Sequence, residues 1–155
     1  MTTEIERKFL VNKNLFKPTG DGEYIAQGYL SSTPERTVRV RIKNNHGFLT
    51  IKGKNIGISR SEFEYEIPEP DARELLNLCE PSIIIKRRHI INVNNSIWEV
   101  DVFEGDNKGL IVAEIELQSE DEIFNRPDWL GDEVSNDARY YNSNLSKRSY
   151  NTWNK

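Results

Sequence analysis

The chain has 155 residues, with 21 Lys+Arg against 25 Asp+Glu, a net charge of −4 at a charged fraction of 30%. One domain is expected at this length, and the balance argues against a general nucleic-acid binder, which needs a basic excess. No apolar run nears the roughly 18 residues of a membrane span, the N-terminus lacks the apolar stretch of a signal peptide, and the single cysteine, Cys79, excludes an internal disulfide and a cysteine-rich zinc site. A cytoplasmic protein with no nucleic-acid or membrane partner is the expectation.

Period-two alternation dominates the chain, the pattern that sends successive side chains of a strand to opposite faces. It begins in Glu4–Val11 and continues in Tyr24–Leu30, Thr37–Lys43, Gly47–Gly53 and Arg60–Pro68. Three more segments follow: Ile83–Ile90, Ser96–Phe103 and Leu110–Leu117. Asn44-Asn45-His46-Gly47 reads as a hairpin turn, and Asn94-Asn95 and Asp106-Asn107-Lys108-Gly109 read as turns beside their strands. Helices are few. Asp71 is placed to cap a helix over Ala72–Leu78 that closes before Pro81. Short helices are expected over Asp121–Asn125, stopped by Pro127, and within Asn142–Trp153. The fold class is therefore mainly β (α+β): eight antiparallel strands, enough to close into a barrel, with a few helices packed outside. Residues 1–155 form one domain, in which the helix at about 142–153 closes one end.

Charge tracks strand parity. Glu4, Glu6 and Lys8 share a face, as do Arg39, Arg41 and Lys43, Lys52 and Lys54, and Glu62, Glu64 and Glu66. So do Lys86 and Arg88, Glu99 and Asp101, and Glu114 and Glu116, making nine acids and eight bases in all. The intervening positions are mostly apolar. A wet outer face over an apolar core accounts for any one such strand. It accounts less well for the set, because whole strands are acidic or basic, whereas an ordinary wet face interleaves the two. If the charged face points inward, the lumen is a polar tunnel. Its Arg and Lys would hold a polyphosphate, and its carboxylates would hold Mg²⁺ or Mn²⁺ bridging to phosphate oxygens.

Glu4-Ile5-Glu6-Arg7-Lys8 is an ExExK string that resembles the signature of the CYTH superfamily, the triphosphate tunnel metalloenzymes. The order of Arg39-x-Arg41, Thr50-Ile51-Lys52-Gly53, Glu62-x-Glu64, Lys86-x-Arg88, the Glu99/Asp101 strand and Glu114-x-Glu116 is similar too. The resemblance implies an eight-stranded antiparallel tunnel binding a triphosphate end-on with one or two divalent ions, Mg²⁺ or Mn²⁺. Carried over by position, it implies Glu4, Glu6 and Glu116 as metal ligands, with Glu114, Glu62 and Glu64 as further candidates. Lys8, Arg39, Arg41, Lys52, Lys86 and Arg88 match phosphate binders. Tyr29, Lys52 and Asp101 are the catalytic candidates: Tyr29 as a proton acceptor, Asp101 as a group orienting a metal-bound water. A free tyrosine, with a pKa near 10, is a poor base, and Tyr29 reads equally as a half-buried strand aromatic. Parity turns Arg7 and Arg87 outward and leaves open which of Glu62, Glu64 and Glu66 lies mid-tunnel. Lys147 and Arg148 read more simply as a solvated helix end than as a phosphate contact.

The expected activity is metal-dependent hydrolysis of the terminal phosphate of inorganic triphosphate, with nucleoside triphosphates as weaker substrates. A class IV-type adenylate cyclase and a thiamine triphosphatase are the enzymatic alternatives. A polyphosphate- or nucleotide-binding module is the non-enzymatic one.

Overall fold

The computed structural model describes residues 2–80 and 82–153. In chain order come β1 (Thr2–Val11), β2 (Glu23–Thr33), β3 (Arg36–Lys43), β4 (His46–Gly53), β5 (Ser59–Ile67) and α1 (Glu69–Leu76). They are followed by β6 (Ile84–Val93), β7 (Ser96–Phe103), β8 (Ile111–Glu116), β9 (Leu130–Glu133) and α2 (Asn142–Leu145). All pairings are antiparallel, and strands β5-β4-β3-β2-β6-β7-β8-β1 form a ring that the β1–β5 pairing closes. The eight expected strands are the eight staves of this barrel. The ninth, β9, lies outside the ring against Phe9 and Val11 of β1. Its sequence, Leu-Gly-Asp-Glu, carries no alternation to announce it.

Two hairpins are set by asparagine. Lys43 pairs with His46 and Val93 with Ser96, leaving the two-residue loops Asn44-Asn45 and Asn94-Asn95. All four asparagines have positive φ, from 49° to 70°, as a turn matching the strand twist requires.

The helices depart from expectation. α1 starts at Glu69 behind Pro68, with no side-chain cap; Asp71 lies inside its first turn, where a carboxylate still suits the positive end of the helix. Pro81, expected to close it, lies outside the described residues. Asp121–Asn125 forms no helix. Phe124 leaves the local segment to pack edge-on against Phe9 and Trp98, at 6.0 and 5.6 Å between ring centres. The C-terminal stretch holds only the single turn of α2 and a 3₁₀ turn at Tyr150–Thr152.

The charged face points inward, so the apolar positions lie outside and need cover. α1 covers β3 and β4, burying Ala72 with Val40 and Ile42. It packs so close that a Cβ on Gly47 would stand 2.7 Å from that of Ala72. Phe16, Phe124 and Trp129 cover Phe9, Trp98, Val100, Ala113 and Ile115 on β1, β7 and β8. The outer face of β5 stays open, with Phe63 and Tyr65 37% and 57% exposed.

Candidate active site

Ring order sorts the charge. β4, β3, β2 and β6 stand side by side and carry Lys52, Arg39, Arg41, Lys86 and Arg88 into the bore. β7, β8, β1 and β5 form the other half and carry Glu99, Glu114, Glu116, Glu4, Glu6, Glu62 and Glu64. The exceptions are Lys8 on β1 and Arg60 on β5. Between the halves lies a cavity of about 530 Å³. Arg7 and Arg87 face outward as expected, onto Glu133 and Glu104. Glu66 is a rim residue, on His46 at 2.8 Å.

The basic half is held by its own scaffold. Arg39 gives one N–H to Thr50 Oγ1 (3.1 Å) and one to Glu64 (3.4 Å), while its Nε is buried without a partner. Arg41 Nε donates to Gln27 Oε1 at 2.8 Å; burial, helped by Arg39 and Arg88, pulls this guanidinium down to about 9. Arg88 donates to both oxygens of Asp101, at 2.8 and 2.9 Å, and Lys86 Nζ stands 2.8 Å from Asp101 Oδ2. Burial would raise Asp101, but Lys86 and Arg88 overcome it and hold the carboxyl at about 2. Burial lowers Lys86 to about 7, with Arg88 and Arg41 adding to the fall and Asp101 opposing it. These two directions are compatible: one buried anion serves two cations, Arg88 through two hydrogen bonds and Lys86 through a single close contact.

The acidic half has the opposite problem. Glu6 stands directly across from Glu116, and Glu99 from Glu114. Like charges placed so repel. Burial, the nearby Glu114 and Glu4, and a hydrogen bond with Glu114 push the Glu6 carboxyl well above its usual range. Burial would raise Glu114 as well, but Lys8, the bond from Glu6 and Arg88 hold it well below. Of this hydrogen-bonded pair, Glu6 is thus the carboxyl that ionises less readily and Glu114 the one that ionises more readily. Burial also raises Glu62 and Glu99.

Lys52 joins the halves, with its Nζ 3.0 Å from Glu4 and 3.5 Å from Glu62. Burial would lower it, but Glu4, Glu6 and Glu62 lift it above its ordinary value. Among the described residues no three acidic groups converge as a ready cage. The chemistry of the donor set nevertheless fits a hard divalent cation: Glu4, Glu6, Glu114 and Glu116 offer only oxygen ligands from adjoining strands, and Glu6 and Glu116 stand directly opposite each other. Glu64 is turned toward the basic half, accepting 2.6 Å from Thr50 Oγ1 as well as the N–H from Arg39, and that hydrogen bond and those charges lower its carboxyl against the effect of burial.

One step deeper the inward positions turn apolar on every strand of one side. Lys8 gives way to Leu10, Glu114 to Val112, Asp101 to Phe103 and Lys86 to Ile84. Ile84, Phe103, Leu110 and Val112 cluster with Leu145 of α2 and with Tyr29, against which Leu10 packs, as an apolar floor. Asp101 is fully buried and does not line the cavity. It stands beneath Lys86 and Arg88 and holds them. Tyr29 belongs to both layers: it lines the cavity and packs in the floor.

The C-terminal segment enters the bore at this level. Lys8 Nζ donates to Tyr140 O (3.2 Å) and lies 5.7 Å from the centre of the Tyr141 ring. Asn142 Oδ1 accepts from Lys86 Nζ (3.2 Å) and Gln27 Nε2 (3.3 Å). Lys147 and Arg148 are exposed and stay out of the cavity. Gln27, Thr50, Arg60, Tyr141 and Asn142 are site residues that charge parity missed. The first three share inward parity with Tyr29, Lys52 and Glu62 on their own strands, so alternation reaches the uncharged Gln27 and Thr50 as well as Arg60. Tyr141 and Asn142 come from an aperiodic segment and left none.

A model of the CYTH domain matches residues 2–150. An inorganic triphosphatase from Acetivibrio thermocellus is 48% identical over 151 residues, covering 97% of each chain. An inorganic triphosphatase from Nitrosomonas europaea is 36% identical over 152 residues, covering 93% of this chain and 97% of its own. The crystal structure of the inorganic triphosphatase NE1496 superposes with a TM-score of 0.66 at 33% identity, over 92% of this chain and 97% of that one.

Proposed function

The chain belongs to the CYTH domain family, and on that footing we propose that it hydrolyses the terminal phosphoanhydride bond of inorganic triphosphate with the help of a divalent cation. The observation that carries this reading is the division of the lumen into one contiguous basic and one contiguous acidic half. Cations alone would capture a phosphate chain. The opposed carboxylates repel it, and they gain a purpose only when a metal ion lies between them and the phosphates.

Arg39, Arg41, Lys52, Lys86, Arg88 and Lys8 bind the phosphate oxygens and stabilise the charge that shifts onto the leaving group, the main requirement of phosphoryl transfer. Arg39 is set for this by its unpartnered Nε, and Arg41 and Arg88 by the bonds that lock their planes. Held by Glu4, Glu6, Glu114 and Glu116, Mg²⁺ or Mn²⁺ would neutralise phosphate charge and lower the pKa of a bound water. A cation held there would favour the ionised form of Glu6, against the burial and the neighbouring carboxylates that oppose it. Lys52 spans both halves and fixes Glu4 relative to the bound chain. Asp101 acts through the two cations it holds. Tyr29, on the floor across from Arg39 in strand register, is the proton acceptor of this reading.

Substrate size follows from the lining. Among the described residues, its aromatic rings are those of Tyr29 and Tyr141, one packed in the floor and the other beside Lys8. Neither is free to pair across a base or a thiazole ring, which favours inorganic triphosphate over adenylate cyclisation or thiamine triphosphate. The basic half is turned into the bore, out of reach of a nucleic-acid duplex, and no helix among the described residues is long and apolar enough to cross a membrane. The lone half-buried Cys79 suits work in the cytoplasm.

The test is phosphate release from triphosphate, ATP and thiamine triphosphate, with and without Mg²⁺ or Mn²⁺, beside an assay for cyclic AMP. Metal-dependent release that is fastest from triphosphate is expected. Cyclic AMP as the main product, or tight metal-dependent binding with no release, would overturn the reading.

A further inference from the structure

The C-terminal segment touches strands that stand opposite one another. In the ring of eight, β1 and β2 are four strands apart by either route. Tyr140 O meets Lys8 on β1, and Asn142 Oδ1 meets Gln27 on β2 and Lys86 on β6. Residues 140–142 therefore lie across the bore, met from opposite walls by the ends of inward-reaching side chains. They cross it where the lining changes from charged to apolar, and Leu145, three residues on, is buried in the floor. Asn107 Oδ1, accepting from Tyr150 N at 2.8 Å, ties down the chain beyond.

We propose that Tyr140–Asn142 is an end stop that sets how many phosphates the tunnel accepts. The proposal rests on the phosphate-chain reading of the lumen and adds chain-length selection to it. A linear polyphosphate gains a charged contact for each phosphoryl group that reaches Lys8 and Lys86. Beyond them it meets Tyr141, Asn142 and Ser143, which line the cavity and offer no cation, and behind these an apolar floor. Shorter chains leave the deepest lysines unused, and longer ones leave a charged phosphoryl group outside the basic half. Selection comes from where the bar lies rather than from its affinity for the ligand.

The test is the dissociation constant, measured by calorimetry with Mg²⁺, for pyrophosphate, triphosphate and linear tetraphosphate. Binding is read apart from phosphate release, so a protein that selects length but does not hydrolyse would defeat the proposed activity and leave the end stop standing. In the unaltered protein triphosphate should bind tightest. Trimming the bar with Tyr141→Ala plus Asn142→Ala should move the tetraphosphate-to-triphosphate preference toward the longer chain by about tenfold. Lengthening it with Asn142→Gln should move the pyrophosphate-to-triphosphate preference toward the shorter chain. A merely structural role weakens all three ligands together and cannot shift the two ratios in opposite senses. If the double variant does not fold, Asn142→Ser carries the same expectation as the trimmed form. Unchanged ratios in folded variants, or equal affinity of the unaltered protein for all three chains, would overturn the proposal.

Discussion

Lys86 Nζ stands 2.8 Å from Asp101 Oδ2, and both side chains are sealed from solvent. Asp101 also receives two bonds from Arg88, so a single carboxylate compensates two buried cations. Asp101→Asn keeps the shape and removes the charge. Stripping one partner from a buried ion pair costs about 3–5 kcal/mol, to be read as a lower midpoint of urea unfolding. The pH profile gives a second check. Asp101 is held at about 2, below its ordinary 3.8, so its stabilisation is present in full above the ordinary value and is lost as pH falls toward 2. The variant should lack that part of the acid loss; an identical acid limb in both proteins would deny Asp101 this role.

The same triad makes Lys86 sensitive near neutrality. Its ammonium is lowered to about 7 from an ordinary 10.5. The unfolded chain holds the proton across that interval, so this residue's contribution to stability improves as pH rises from about 7 to about 10.5. Binding runs the other way, because a neutral amine attracts phosphate poorly. KM for triphosphate should climb as pH passes 7, and Lys86→Arg, which stays charged, should flatten the climb. A KM in Lys86→Arg that rises with pH as steeply as in the unaltered protein would place the titrating group elsewhere.

Glu6 and Glu116 face each other across β1 and β8. Glu6→Gln keeps a donor for Glu114 and removes a carboxyl whose ionisation Glu114 and Glu4 oppose. The metal-free protein should gain up to about 1 kcal/mol, the scale of a cross-strand pair, visible as a higher melting temperature. Metal-dependent phosphate release should fall by more than about 100-fold, beyond the loss expected from an outer-shell partner. Retained release at saturating Mg²⁺ would remove Glu6 from the metal ligands.

The hairpin loops offer a prediction free of the site. Asn45 has φ 62°, a conformation that costs an ordinary L-residue about 1–2 kcal/mol. Asn45→Ala should lower stability by about 1 kcal/mol for that reason, while Asn45→Gly should be tolerated. Equal denaturation midpoints for the two variants would contradict the left-handed turn.

Local sequence carried much of the barrel. Eight strands were legible because a strand repeats every two residues, and the two asparagine pairs announced their turns. The C-terminal elements were not legible. β9 is four residues without alternation, and Asn142 and Tyr141 owe their place in the bore to chain tied down elsewhere, by Leu145 in the floor and Asn107 beneath Tyr150. Asp101 shares parity with Glu99, so its charge alone placed it on the acidic wall. Asp101 pairs with Val112 across the strands and is followed at the same parity by Phe103, where the inward face has turned apolar.

By itself, the sequence determined that acids and bases occupy alternate positions and separate strands, since that needs only the order of residues along each strand. It did not determine which face turns inward, because alternation is symmetric between the two. Nor did it bring the acids together. Their strands are first, fifth, seventh and eighth in the chain, and only the closing β1–β5 pairing, 54 to 60 residues apart in sequence, sets β1 between β5 and β8. Closure of the ring turned scattered acidic strands into one wall and left the basic strands to form the other.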